Sequence, residues 1–159
     1  MKNFHLLAIL DTIEAIGSGY KNAKFNYFLT KNDRKIRGEL SIIDETLKPS
    51  PKFMEFEQER YKLCAEYSSK DDNGKPNTVN GQYDIQNKEE FDKKLKELKE
   101  DPKWVDIVKE REEQYAKYQE ILQLDSDVQL HKIKIDDVPD ELPKEQLDVF
   151  IDSELIIPD

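Results

Sequence analysis

The sequence predicts a mainly α-helical protein with a small β component: an antiparallel helical hairpin or bundle carrying a short β-hairpin and a C-terminal strand. Three observations predict it. Two long amphipathic segments, residues 22–69 and 87–122, bracket the polar stretch Lys70-Asp71-Asp72-Asn73-Gly74-Lys75-Pro76-Asn77-Thr78-Val79-Asn80-Gly81. In the first of them Phe25, Phe28, Asn32, Ile36, Leu40, Ile43 and Leu47 recur at steps of three and four, which places all of these except the polar Asn32 on one apolar helix face. Charged residues make up 38% of the chain and mean hydropathy is -0.86, a thin apolar content that suits helices with narrow seams better than a globule of several layers.

The elements follow in chain order. Asn3 to Ile16 reads as a helix with Phe4, Leu7, Ala8, Leu10 and Ile13 apolar, stopped by Gly17-Ser18-Gly19. A second helix runs from about Asn22 to Leu47. It ends before Lys48-Pro49, because proline disfavours helical geometry in the residue before it. Ser50 then caps a third helix with Pro51 at its first position and Phe53, Phe56, Leu63, Cys64 and Tyr67 on its apolar face, so the second and third helices meet at a corner.

Residues 77–85 read as a β-hairpin, with Asn80-Gly81 supplying the two positive-φ residues of a type I′ turn. Asn87 and Glu90 make a capping-box-like start for a fourth helix carrying Phe91, Leu95 and Leu98. Asp101-Pro102 breaks it, and a fifth helix follows with Val105, Val108, Tyr115, Tyr118 and Leu122. Val128, Leu130, Ile133 and Ile135 nearly alternate, predicting a bulged strand over 127–135. Pro139, Pro143 and Pro158 punctuate the remainder, with one short helix at 143–150. At 159 residues the chain reads as a single domain, with a helical body over 1–122 and an acidic strand and short helix over 123–159.

Charge narrows the function classes. The net charge of -10 is concentrated at the end: residues 123–159 hold three Lys/Arg against eleven Asp/Glu, whereas residues 1–48 hold eight against six. No basic stripe dominates, which argues against a nucleic-acid binder that works by neutralising phosphates. An acidic segment of this kind keeps a protein in solution or engages a basic partner surface. Cys64 is the single cysteine, so no internal disulfide forms and a reducing, cytoplasmic setting is expected. The apolar run Phe4 to Leu10 is cut by Asp11 and Glu14 and reads as a helix rather than an export signal. No stretch approaches the ~20 apolar residues of a membrane span.

Sites for chemistry are sparse. Asp71, Asn73 and Gly74 match three inner positions of a calcium-binding loop, but its first ligand would fall on Ser69 and its final glutamate on Asn80, so the match fails at both ends. His5 and His131, the two histidines, have no Cys or His at metal-ligand spacing. Cys64 sits on an apolar helix face, as an inert thiol does. Glu55, Glu57, Glu59 and Glu66 are interspersed with Lys and Arg as on a solvated helix. No glycine-rich phosphate loop or nucleophile elbow is present, so no catalytic, cofactor or metal residue is assigned and no enzyme is expected.

The aromatic residues are more informative. Tyr20, Phe25, Tyr27 and Phe28 crowd the start of the second helix, an arrangement that fits both a core corner and an interface anchor. Phe25 and Tyr27, with the acidic Asp136, Asp137, Asp140 and Glu141, are the candidate partner-binding residues. The long seams also suggest a homodimer, since a two-fold pair is the commonest way to cover apolar surface left over in one protomer.

Lys24-Phe25-Asn26-Tyr27, Lys31-Asn32, Ile36, Glu39-Leu40, Phe56-Glu57-Gln58-Glu59-Arg60, Leu63-Cys64, Tyr67 and Lys70-Asp71-Asp72-Asn73-Gly74-Lys75-Pro76 together resemble small proteins common in tailed-phage and prophage genomes. The resemblance runs through about residues 22–98 and returns at Leu142 to Ile157, with 101–122 as an extra helix. It implies two antiparallel helices joined by a Gly-Pro hairpin, then a strand and a short C-terminal helix, and it carries no catalytic residue. The function expected is a non-enzymatic phage accessory protein that binds and modulates or inhibits a host or defence protein in the bacterial cytoplasm. The alternative is a virion structural or assembly component, whose seams pack into a repeated multimer.

Overall fold

Helix starts are set by side chains that accept the first orphan amides. A computed structural model describes residues 1–17 and 19–157; Ser18, within the expected helix stop, and Pro158 lie outside the described residues. Asn22 accepts from Phe25 N to open α2 (Ala23–Glu45), Ser50 accepts from Phe53 N to open α3 (Pro51–Tyr67), and Asn87 accepts from Glu90 N to open α4 (Lys88–Glu100). With α1 (Asn3–Ile16), α5 (Val105–Leu122) and α6 (Lys144–Asp152) these make the protein mainly α. Among the described residues the β component is four two-residue strands, β1 (Thr78–Val79), β2 (Gln82–Tyr83), β3 (Ile133–Lys134) and β4 (Ile156–Ile157).

The chain gathers into two compact units, Met1–Leu47 with Ala116–Asp159, and Lys48–Tyr115. Residues 123–159 fold with α1 and α2 because they bring Ile133, Leu142, Phe150 and Leu155 to the apolar faces of those helices. In this first unit α1 packs against α2 and α6. Leu6, Ile9, Phe25, Phe28, Ile36 and Phe150 are almost wholly buried. The aromatic corner is continuous: Tyr20 meets Phe25 edge-on at 5.7 Å, Phe25 stacks on Phe28 at 5.9 Å, and Phe28 meets Phe150 edge-on at 5.3 Å. The chain returns to α1 through Asn3 N donating to Leu124 O at 3.0 Å and a Lys2–Asp125 ion pair at 3.1 Å.

The second unit contains the antiparallel hairpin. Tyr67 lies 6.0 Å from Phe91 and Phe56 lies 5.9 Å from Trp104, so residue numbers fall along α3 as they rise along α4 and the turn after it. The connection is the expected β-hairpin, with φ of 51° at Asn80 and 78° at Gly81 and pairs Thr78↔Tyr83 and Val79↔Gln82. Asp101 ends α4, and its carboxylate accepts from Lys103 N at 2.7 Å before α5 begins. The core here is slight: among the described residues only Phe56, Cys64 and Trp104 are buried hydrophobics, and α4 buries none of its residues.

Three expectations are corrected. The segments 22–69 and 87–122 do not form one antiparallel pair; α3 and α4 do, while α2 finds its apolar partner in α1. The strand expected over 127–135 shrinks to β3, followed by a 3-10 turn at Ile135–Asp137. Its alternation was real, but the buried Asn32 side chain takes the backbone of His131, and β3 pairs in parallel with β4, an element absent from the sequence reading, in the register Ile133↔Ile156 and Lys134↔Ile157. Finally, the short helix is displaced slightly, beginning at Lys144 and reaching Asp152.

Candidate functional site

The first turns of α2 and the segment 131–141 lie side by side in the first unit, and five of the six candidate partner-binding residues line clefts there. Phe25 does not: it is fully buried, so its place is in the core beneath the surface. Tyr27, two residues on, points outward and is 56% exposed, as a helix turning about 100° per residue requires.

Although exposed, the Tyr27 ring is held in place. His131 packs edge-on against it at 5.5 Å with an 88° interplanar angle. One turn along α2, Lys31 Nζ donates to the Tyr27 hydroxyl at 3.0 Å and lies 5.1 Å from the ring centre. His131 is itself fixed by Asn32, whose Nδ2 donates to His131 O at 2.9 Å and whose Oδ1 accepts from His131 N at 2.7 Å. Two packed elements thus converge on one surface aromatic side chain. Ordering it in advance lowers the entropy lost when a partner covers it.

A cleft of about 390 Å³ opens beside Tyr27, lined below by Ala23, Phe28, Ile133 and Ile157. Its charged lining, among the described residues, is Lys24, Lys132, Lys134 and Asp137. A second cleft of about 690 Å³ is lined by Tyr20, Lys21, Val138 and Pro139 together with Asp136, Asp140 and Glu141. Asp137 stands where the two meet: its carbonyl accepts from Asn22 Nδ2 at 2.9 Å and its carboxylate pairs with Lys24 Nζ at 2.7 Å. One surface therefore carries a lysine-rich apolar groove next to an acidic cleft.

The sequence reading missed the lysines and His131. A signal existed, because Lys24, Tyr27 and Lys31 step along one helix face and Lys132 and Lys134 alternate about the buried Ile133. Only the fold brings the two sets together. Cys64 is buried with Arg60 Nη1 4.0 Å from its Sγ, and Asp71 Oδ1 accepts from Asn73 N and Lys75 N, which builds the turn enclosed by the Lys70↔Pro76 bridge. Among the described residues no group of three or more His, Cys, Asp and Glu side chains is placed to hold a metal ion.

No family model matches the chain, and neither a curated protein nor a solved structure matches it. Among the described residues no helix is long and apolar enough to cross a membrane. The geometry of the Tyr27 surface is accordingly the main guide to function.

Proposed function

We propose that this chain is a non-enzymatic binding protein that works through protein–protein contacts at the surface formed by the start of α2 and residues 131–141. The observation that carries the reading is Tyr27, an exposed aromatic side chain held rigidly over an apolar groove and flanked by charge. Interface hot spots have this composition, with an aromatic anchor at the centre and polar groups at the rim. The resemblance to small phage and prophage proteins supports an accessory role in the cytoplasm of an infected bacterium, where the bound protein would be modulated or inhibited. Asp136, Asp140 and Glu141 would steer a basic patch of the same partner by raising its association rate.

The test is capture from a lysate of the bacterial host on immobilised wild-type protein, on Tyr27→Ala, and on the quadruple variant Asp136→Asn, Asp137→Asn, Asp140→Asn and Glu141→Gln. A protein retained stoichiometrically by the wild type and lost from Tyr27→Ala supports the reading. Equal retention by all three proteins overturns it.

A further inference from the structure

The connection from α3 to α4 holds two Asn-Gly pairs, Asn73-Gly74 and Asn80-Gly81, whose backbones differ in one respect that matters for chemistry. The Gly74 amide donates to Asp71 O at 2.9 Å, in a turn closed further by Asn73 N and Lys75 N donating to Asp71 Oδ1 and by Asp71 N donating to Lys75 O. Asn80 is exposed at the hairpin tip with φ of 51°, and among the described residues the Gly81 amide that follows it has no acceptor. We propose that Asn80 is a site of spontaneous covalent modification, its side-chain amide converting in water to aspartate and isoaspartate, while Asn73 is protected by its turn. The site lies in the second unit and is independent of the Tyr27 surface.

In this reaction hydroxide removes the Gly81 amide proton and the nitrogen attacks Asn80 Cγ. The new N–Cγ bond closes a cyclic imide, the Cγ–Nδ2 bond breaks, and nitrogen leaves as ammonia after taking a proton from water, which regenerates the hydroxide. Water then opens the imide: cleavage at Cγ gives aspartate, and cleavage at the main-chain carbonyl gives isoaspartate, whose chain runs through Cγ. Open space surrounds both Gly74 and Gly81, so the two sites differ in hydrogen bonding rather than in crowding. A nitrogen whose hydrogen is held by a carbonyl must first give up that bond, whereas Gly81 has none to lose. Both turns must open for the attack, and the hairpin tip opens at low cost: only Thr78↔Tyr83 and Val79↔Gln82 hold it, with Thr78, Val79 and Gln82 exposed. Aspartate keeps the hairpin, because Asp-Gly suits a type I′ turn as Asn-Gly does; isoaspartate adds a methylene to the main chain and loses the Val79↔Gln82 pair.

The experiment is incubation of the full chain at neutral and at mildly alkaline pH, followed by peptide fragmentation in a mass spectrometer to locate each amide-to-acid change, with isoaspartate counted by an isoaspartyl methyltransferase. Asn80 is expected to convert, faster at the higher pH, and Asn73 to convert more slowly by about two- to tenfold, the factor that one backbone hydrogen bond is worth. Amide exchange should be faster at Gly81 than at Gly74. Two variants carry the argument further. Asn80→Gly, which a type I′ turn also accepts, should abolish the isoaspartate signal at the hairpin, and Asp71→Ala, which removes the acceptor for Asn73 N and Lys75 N, should raise the rate at Asn73.

Equal conversion of the two asparagines, or faster conversion of Asn73, overturns the proposal. So does an Asn80 that stays intact over a period in which an unfolded peptide of residues 77–85 has converted, since the folded turn would then be protective. An Asn73 rate unchanged in Asp71→Ala would show that hydrogen bonding does not separate the two sites.

Discussion

The Asn32 side chain and the His131 backbone are joined by two hydrogen bonds, at 2.9 and 2.7 Å, across 99 residues of sequence. The sequence excepted Asn32 from the apolar face of α2, but it is fully buried in the middle of that face, where its amide pairs with the His131 backbone as a neighbouring strand would. That exchange explains both the polar interruption of an otherwise apolar helix face and the shortness of β3. It also positions the histidine that supports Tyr27.

Asn32→Leu should therefore destabilise the protein despite adding an apolar group to the core. Both His131 backbone groups would lose their partners, each at a cost of about 1–3 kcal/mol where water does not replace them. Urea denaturation should show the loss, and amide exchange should show deprotection at His131. A variant as stable as the wild type would mean that the pair contributes only position.

Leu40 and Ile42 make a contrasting pair on α2, at 6% and 66% exposure. Leu40→Ala should cost about 2–5 kcal/mol through lost burial and the cavity left behind. Ile42→Ala should stay within about 0.5 kcal/mol of wild type. Equal costs in denaturant titration would contradict the assignment of the buried face.

Trp104, the only tryptophan, is 4% exposed and reports on the second unit through its contact with Phe56. That unit has few buried apolar side chains, so its stability should be the lower of the two. Tryptophan emission is expected to change at a lower urea concentration than the bulk of the far-ultraviolet circular dichroism signal. Coincident transitions would show the whole chain unfolding as one cooperative unit.

Burial, and then the Asp44 carboxylate 3.5 Å from its hydroxyl, push the Tyr118 phenol above the ordinary tyrosine range. The folded-state value being the raised one, this group favours folding below the unfolded value of about 10, and the contribution is lost as pH climbs through the folded value. Denaturation midpoints should fall less on going from about pH 8 to about pH 11 in Tyr118→Phe than in wild type. An unchanged slope would remove Tyr118 from the alkaline transition.

Much of the local structure was legible because it depends on neighbours in the chain. Asn22, Ser50 and Asn87 cap their own helices, Asn80-Gly81 makes its own turn, and Asp101-Pro102 breaks the helix at its own position. Each choice is made within three or four residues, so the sequence by itself determined it. What the tertiary structure decided are pairings across long separations: α2 with α1, β3 with β4, Asn32 with His131, and Tyr27 with the lysines at 132 and 134. A helix periodicity states which side chains need cover but not which segment supplies it, since any apolar face of similar width satisfies the same free energy of burial. For that reason helical spacing could set Phe25 on the apolar face of α2 and Tyr27 off it, but that Phe150 closes the core around the one ring cluster and His131 abuts the other ring was decided only when the chain from His131 to Phe150 was laid against α2.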